Sequence, residues 1–321
     1  MKKKIIIISG DPNSINSELI YKCWKNLKNI TKKNIYLISN YELLKQQFKK
    51  LNYSIKIKKI KDINECSTSN HLKILNLKLN FGNPFNVSNK SASKFVLDSL
   101  NYAHQLALGK SVKGIINCPI NKNLLKKRNI GVTEFLASKC KIKRNSEVML
   151  IRNDNLSVSP ITTHIDIKNV SRNLTKKLII TKIQTINNFF KIKLKIKPKI
   201  AVLGLNPHNG ELRRNSEEKK IIIPAIKRLK KLGVNIYGPF VSDTIFINNY
   251  KNFDVIVGMF HDQVLSPFKS LYKFEPINLT LGLRYLRVSP DHGVARDLIA
   301  KKTSNPKSLL NCIKFIDRFG K

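Results

Sequence analysis

Three histidines follow extended apolar stretches in nearly the same way. His164 follows "SPITT", His208 follows "VLGLNP" and His261 follows "VIVGMF". If these stretches are parallel strands, their carboxyl ends meet at one edge of a sheet, where three imidazoles could converge. Three neutral nitrogen ligands with room for water or substrate oxygens are typical of a catalytic divalent-metal site. One such histidine alone would indicate a hydrogen-bonded loop residue, so the metal interpretation depends on the threefold pattern.

Two carboxylates are candidates for orienting metal ligands or moving protons. Asp262 directly follows His261, and Asp243 lies within "GPFVSDTIF". A carboxylate beside a metal-binding histidine most often orients the imidazole through a hydrogen bond, although either group could also move protons during catalysis. Asp262 is therefore interpreted first as the partner of His261, and both carboxylates are catalytic candidates.

The segment after His261 contains side chains suited to an anionic substrate. Arginine grips carboxylate or phosphate with two parallel hydrogen bonds, and lysine acts as a mobile point charge. The candidates are Lys269, Asn278 and Arg287. In so basic a chain a single lysine is usually only solvated, so Lys269 is a candidate because of its neighbours.

Other polar residues receive weaker interpretations. His71 and His104 lack a strand-end setting and are given no role, whereas His292 either caps a following helix or lines a cleft. Gly10, after the first apolar run, could cradle a phosphate at a helix start, with Asp11 as a loop or ligand residue. The two further glycines of a Rossmann GxGxxG turn are missing, which disfavours that type of dinucleotide site.

The elements that must position these residues alternate along the chain. Short, nearly continuous apolar runs alternate with longer amphipathic segments, which predicts an α/β fold with a mostly parallel sheet buried on both faces. Strands are predicted over 4–9, 34–39, 114–118, 148–152, 199–205, 235–237, 254–260 and 277–283. Helices are predicted over 17–28, 42–51, 91–108, 170–190, 216–232, 294–300 and 306–319.

The chain is long enough for two lobes, and no flexible linker separates them. The polar stretch 139–147 is the predicted first crossing, and the return is placed near Asp291. We therefore expect a first α/β lobe from 1–140 plus 295–321, and a second α/β lobe from 141–294 that carries the metal histidines.

Composition excludes several classes of protein. The net charge of +40 comes mostly from lysines scattered along the whole chain. This pattern indicates a solvated basic surface that attracts anions such as phosphorylated metabolites, and it argues against a nucleic-acid partner. The five cysteines are far apart and form no CxxC pair, as expected for a reduced cytoplasmic setting. No apolar run approaches the roughly 20 residues of a membrane span, so no membrane partner is expected.

Eight ordered motifs carry a family resemblance. They are "SGDPNSINSELI", "NCPINK", "GVTEFLA", "TTHI", "GLNPHNGE", "GPFVSDTIF", "MFHDQVLSPFK" and "NLTLGLRYLRVSPDHGVARDL". In order and spacing they resemble the motifs of the 4-hydroxythreonine-4-phosphate dehydrogenase family of vitamin B6 biosynthesis. The resemblance extends from about residue 9 to residue 298.

The resemblance implies an architecture and a set of ligands. It implies a homodimer of two-lobed α/β/α subunits, similar to isocitrate and isopropylmalate dehydrogenases, with a cleft between the lobes and dimer contacts in the second lobe. It also implies NAD bound without a Rossmann turn, and one divalent metal per site (Zn, Mg or Co) on the three histidines. The active site is then shared across the dimer interface, and the implied substrate contacts are Thr133, Lys269, Asn278 and Arg287.

One position departs from the family motif. Before "TEF" the family usually has Gly-His, whereas this chain has Val132 in place of that substrate-contacting histidine. A valine side chain cannot donate a hydrogen bond, so substrate affinity or substrate preference is expected to differ.

The implied reaction is the NAD- and metal-dependent oxidation of 4-phosphohydroxy-L-threonine at its 3-hydroxyl, followed by decarboxylation to 3-amino-2-oxopropyl phosphate. The general base stays open among Asp243, Lys269 and a metal-bound water. Three alternatives remain: a sister dehydrogenase acting on a phosphorylated threonate or a related 3-hydroxy acid, a metal-dependent hydrolase with the same histidines, and a basic nucleic-acid-binding protein.

Overall fold

The computed structural model describes residues 3–125, 131–142 and 145–320. The chain forms two compact units, Met1–Cys140 with Leu283–Lys321, and Lys141–Gly282. The chain leaves the first unit inside the polar stretch 139–147, of which Lys143 and Arg144 lie outside the described residues. The chain returns to the first unit at Leu283, before the return predicted near Asp291.

The described ranges contain twelve strands, and the apolar runs seen in the sequence form most of them. Each of the eight predicted strands corresponds to an observed one within a few residues. In chain order the strands are β1 (Lys4–Ile8), β2 (Ile35–Ser39), β3 (Ile57–Ile60), β4 (Leu72–Asn76), β5 (Val112–Asn117), β6 (Val148–Arg152), β7 (Ser157–Pro160), β8 (Ile200–Leu203), β9 (Ile236–Phe240), β10 (Val255–Gly258), β11 (Ile277–Leu281) and β12 (Arg287–Pro290).

The α-helices alternate with these strands along the chain. In chain order they are α1 (Asn16–Asn26), α2 (Asn29–Lys32), α3 (Tyr41–Lys50), α4 (Asn89–Leu108), α5 (Val132–Lys139), α6 (Val170–Asn173), α7 (Lys176–Phe189), α8 (Ile223–Lys231), α9 (Ser242–Thr244), α10 (His261–Tyr272) and α11 (Lys307–Phe319). No helix in the described ranges is long and apolar enough to cross a membrane.

The first unit is built on parallel strands in the order β3-β4-β2-β1-β5-β12. All residues of β1 and β2 are buried, as a parallel sheet covered on both faces requires. Helix α4 begins where the Ser88 side chain accepts a hydrogen bond from the Ser91 N–H, and it buries Phe95 and Val96 in the core of this unit.

The second unit has strands in the order β11-β6-β7-β10-β8-β9. Strands β7, β10, β8 and β9 are parallel neighbours, and β6 is antiparallel to both β7 and β11. Ile151, Val158, Ala201, Ile256 and Phe268 contribute to its core. Because these four adjacent strands are parallel, their carboxyl ends lie along one edge of the sheet. We call it the histidine edge, because the segments that follow three of these strands carry His164, His208 and His261.

Several helix predictions are wrong in informative places. The helix predicted over 170–190 is interrupted, because Leu174 is extended and the Thr175 side chain caps a new helix by accepting from the Leu178 N–H. The helix predicted over 294–300 is a single short turn over Arg296–Leu298 that follows a left-handed Ala295. His292 therefore caps no helix there, and its Nδ1 lies 3.0 Å from the carbonyl oxygen of Gly293.

Candidate active site

The histidine edge brings the predicted metal ligands onto neighbouring strands. His164 comes four residues after β7, His261 three residues after β10, and His208 five residues after β8. Asp243 follows β9, the next strand of the sheet. The lateral order along this edge is thus His164, His261, His208 and Asp243, which places polar groups where open α/β sheets bind their ligands.

His164 and His261 form a pair. Their ring centroids are 5.8 Å apart. With metal–nitrogen bonds of about 2.0–2.1 Å, two imidazoles on one ion have ring centroids about 5–6 Å apart, so the pair fits a shared divalent metal. Thr162 keeps the two preceding segments together, because its N–H and its hydroxyl both donate to the Met259 carbonyl oxygen, at 3.1 and 2.7 Å.

Asp262 orients one ring of this pair. Its Oδ1 lies 2.7 Å from Nδ1 of His261, and its side chain is 72% exposed. A carboxylate on Nδ1 leaves Nε2 of His261 as the nitrogen able to bind a metal. Asp262 thus contacts His261 directly, whereas Asp243 lies exposed in the short helix α9.

His208 lies in a left-handed loop. Residues His208, Asn209, Gly210 and Glu211 all have φ between 48° and 58°, and Leu212 follows with φ 53°. Such a run is costly for residues other than glycine and requires support from its surroundings. Across the described ranges, no group of three or more His, Cys, Asp or Glu side chains is placed to hold a metal within this one chain.

Glu218 supplies part of that support. It is fully buried, and its Oε1 accepts from the N–H groups of Leu205 and Asn206, both at 2.8 Å. Its Oε2 accepts from the Asn206 side-chain amide at 3.1 Å. Burial raises the pKa of Glu218, but the hydrogen bonds from Asn206 and Leu205 outweigh it, so the pKa lies below its usual range.

Two substrate candidates of the second unit lie away from the histidine edge within the chain. Lys269 is on α10, two helical turns and about 12 Å along the axis from His261, and it is exposed. Asn278 lies near the start of β11, at the level of Ile151 in the register, and its Oδ1 is buried without a hydrogen-bond partner among the described residues. One chain therefore does not bring either residue next to His261.

The candidates of the first unit lie near one another. Arg287 is 3% exposed, and its Nε donates to Oδ1 of Asn117 at 2.7 Å. Burial lowers its pKa to about 10, while the nearby negative charge of Glu134 acts in the opposite direction. Glu134 belongs to the first turn of α5, where Val132 and Thr133 also lie, and Val132 packs partly buried against the core.

The turn after β1 is built for packing. Gly10 has φ +77°, and a Cβ there would lie 2.5 Å from the Pro119 carbonyl oxygen. Asp11 is 2% exposed, accepts from the Asn13 N–H at 2.8 Å and lies 3.6 Å from the Arg296 guanidinium. Glycine is required at position 10 because the segments after β1 and β5 approach each other closely there. The contacts of Asp11 with Asn13 and Arg296 are consistent with a structural role in this turn.

Two side chains that brace the histidine edge were missed from the sequence: Glu218 and Gln263. The glutamine stands beside "HD" in the motif "HDQ", and the glutamate follows the "NPHNGE" motif by seven residues. Their polar character inside a buried setting was the available signal, but burial itself could not be assigned without the fold.

Comparisons with known proteins agree with this architecture. A model of the family described as "Pyridoxal phosphate biosynthetic protein PdxA" matches residues 31–316. Proteins named 4-hydroxythreonine-4-phosphate dehydrogenase from Sulfurihydrogenibium sp. (strain YO3AOP1) and Aquifex aeolicus (strain VF5) are 38% and 39% identical. The first match covers 97% of this chain and 96% of the relative, and the second covers 99% and 98%.

A solved structure gives the same result. The crystal structure of 4-hydroxythreonine-4-phosphate dehydrogenase from Klebsiella pneumoniae superimposes with a TM-score of 0.86 at 27% identity, covering 100% of each chain. The fold and the named relatives together define an α/β oxidoreductase, and the candidate residues of the second unit lie at strand ends. More specifically, the chain belongs to the PdxA family, whose members act in vitamin B6 biosynthesis.

Proposed function

We propose that this chain oxidises 4-phosphohydroxy-L-threonine at its 3-hydroxyl with NAD⁺ as hydride acceptor, and that decarboxylation gives 3-amino-2-oxopropyl phosphate. Membership of the PdxA family, together with relatives that carry the dehydrogenase name over nearly the full chain, is the observation that supports this most strongly. The five cysteines are free, which supports a reduced cytoplasmic setting.

We further propose that His164, His208 and His261 hold one divalent metal, with Zn, Mg and Co as candidates. The 5.8 Å separation of the His164 and His261 rings and the carboxylate on His261 support this donor set. A metal bound there lowers the pKa of the substrate hydroxyl as a Lewis acid. In this proposal His208 comes from a second copy of the chain, because the described part of one chain holds no group of three or more such side chains placed to bind a metal.

We propose substrate contacts from residues of each unit. In the first unit, Thr133 and Arg287 hold anionic groups, and Arg287 stays charged at neutral pH because its pKa, though lowered, is about 10. In the second unit, Lys269 and Asn278 bind the substrate, and the orphaned Oδ1 of Asn278 offers an acceptor. These residues orient the reacting carbon, and Asp243 or Lys269 accepts the hydroxyl proton.

The proposed dimer has support on the second unit. Ile165, Ile167, Leu212 and Ile247 are 40%, 74%, 48% and 67% exposed, and they lie in the segments that carry His164, His208 and Asp243. Exposed apolar side chains beside a functional site are typical of a surface covered by a partner. A homodimer whose contacts come from this unit would bury them and join the ligands of two chains.

Mixed dimers test the sharing of ligands. His208→Ala and His261→Ala chains are each expected to be inactive, but a mixed dimer has one site with all three histidines. Random reassembly of equal amounts should restore about a quarter of wild-type activity. The control is each variant reassembled with itself. No recovery, in chains shown to have exchanged, would contradict a site shared in this way.

The reaction itself is tested by NADH absorbance at 340 nm with purified protein. We expect NADH from 4-phosphohydroxy-L-threonine and NAD⁺, loss of activity with a chelator, and recovery after a divalent metal is restored. NADH from phosphothreonate alone would favour the sister dehydrogenase, an alternative kept because of Val132. NADH from neither substrate, in folded and metal-loaded protein, would contradict the dehydrogenase proposal.

A further inference from the structure

Gln263 joins three neighbouring strand ends through one side chain. Its Oε1 accepts from the Met259 N–H at 2.6 Å. Its Nε2 donates to the Gly204 carbonyl oxygen and to Oγ of Ser242, both at 2.7 Å. Both N–H groups and the carbonyl oxygen of the amide are thus engaged by the protein.

The three partners stand directly before functional segments. Met259 follows β10 and precedes His261 by two residues, and Gly204 follows β8 and precedes His208 by four. Ser242 follows β9 and precedes Asp243. Because β10, β8 and β9 are adjacent and strands lie about 4.8 Å apart, the amide links segments that follow three strands spanning about 10 Å of the sheet.

The chemistry of the site requires an amide. A glutamate of the same shape would turn an oxygen toward the Gly204 carbonyl oxygen, and the two acceptors would repel each other. A methionine of similar length would leave the Met259 N–H and the Gly204 carbonyl oxygen without this partner. Space is also reserved for the side chain, since a Cβ at Gly258 would lie 2.8 Å from its Oε1.

We propose that Gln263 is a positioning residue that holds His261, the His208 loop and Asp243 in place at the histidine edge, so that each can reach its own metal site in the proposed dimer. It acts through the strand ends that it joins. The metal and activity consequences of this role rest on the proposed function. The hydrogen bonds themselves do not, so the role has readouts that are independent of turnover.

The test compares Gln263→Glu and Ser242→Ala with Gln105→Glu, which changes an exposed glutamine of α4 and serves as the charge control. Metal-free dimers are titrated with Co²⁺, and the visible absorption of the histidine-bound ion gives the affinity. Loss of partners that orient metal ligands typically weakens binding about 10–100-fold, which is expected for Gln263→Glu. Ser242→Ala removes one of the three bonds and should show a smaller loss, whereas Gln105→Glu should bind like the wild type.

Hydrogen exchange gives the second readout. In metal-free Gln263→Glu, the Met259 amide should exchange at least about tenfold faster than in the wild type, because its acceptor is displaced. The kcat should change by a larger factor than the KM, because the substitution alters the position of the metal-binding histidines rather than the contacts that bind the substrate.

The outcomes are separable from those of the proposed function. Wild-type Co²⁺ affinity and unchanged Met259 exchange in a folded Gln263→Glu protein would overturn the positioning role, even if the enzyme makes NADH. If that variant does not fold, wild-type Co²⁺ affinity in Ser242→Ala would overturn it. A wild-type protein that binds Co²⁺ but forms no NADH would contradict the proposed reaction, while weakened binding by Gln263→Glu would still support the positioning role.

Discussion

Replacing Glu218 with glutamine should destabilise the second unit while keeping the shape of the side chain. The buried carboxylate has a pKa below its ordinary value of 4.5, which means that the folded structure stabilises the ionised carboxylate relative to the protonated one. Glutamine is neutral, and its amide nitrogen would stand opposite the Asn206 amide, where Oε2 now accepts. In the variant, the hydrogen bonds from the Leu205 and Asn206 N–H groups therefore end on a neutral oxygen instead of a charged one. The side-chain amide nitrogens of the introduced glutamine and of Asn206 face each other as donors.

The magnitude follows from these contacts. A hydrogen bond to a charged group contributes about 1.5–3 kcal/mol and a neutral one about 0.5–1.5 kcal/mol, so each bond from Leu205 and Asn206 loses about 1 kcal/mol. With the unfavourable amide contact, the free energy of unfolding should fall by about 2–4 kcal/mol. For a unit of this size, the melting temperature should fall by about 5–15 °C.

Urea unfolding followed by circular dichroism measures this difference at several pH values. A depressed carboxylate pKa contributes stability that is fully present above about pH 4.5 and is lost as pH falls through the folded pKa. The difference in free energy of unfolding between the wild type and Glu218→Gln should therefore be largest at pH 7 and become smaller in acid. Glu217→Gln is the matched control, because this half-buried neighbour contacts Ser171 and Asn206 and should cost less than about 1 kcal/mol. A Glu218→Gln protein as stable as the control at pH 7 would refute the reasoning.

Two further substitutions test the site. His261→Ala should abolish metal-dependent turnover without unfolding the protein, since the ring is 35% exposed, and His104→Ala, which loses a contact to Tyr285, should keep metal binding. Near-normal turnover of His261→Ala would contradict the three-histidine site. Val132→His adds a donor on the first turn of α5 and should lower the KM for 4-phosphohydroxy-L-threonine about two- to tenfold. An unchanged KM in a folded Val132→His protein would show that this position does not contact the substrate.

The strands that carry the histidines could be predicted because their physical signal is local. Val255–Gly258 and Ile200–Leu203 are fully buried apolar runs, and the parallel-sheet rule then places their carboxyl ends together. Strand β4 was missed because Lys73 interrupts its apolar pattern. The structure buries that lysine completely, and its ammonium group donates to the carbonyl oxygens of Lys32, Lys33 and Thr68. These hydrogen bonds offset the cost of burying the charge, and they depend on tertiary contacts that the local sequence does not show.

The same limit explains what was missed at the site. Helix α10 begins at His261 and contains Pro267, which in sequence argues for a loop. The left-handed run that starts at His208 consists mostly of residues that disfavour this conformation, and it depends on Glu218 nearby in space. Sequence patterns therefore predicted which residues stand at the strand ends. They could not predict the side chains that brace those ends, because bracing is a property of packing between distant segments.

The amounts of NADH and carbon dioxide formed per substrate consumed test the central proposal most directly. Purified, metal-loaded protein is incubated with limiting 4-phosphohydroxy-L-threonine and excess NAD⁺, and NADH and carbon dioxide are both quantified. We expect equal amounts of NADH and carbon dioxide, each matching the substrate consumed, and neither product from the His261→Ala protein. Substrate consumed without NADH, or no consumption by folded and metal-loaded wild-type protein, would contradict it.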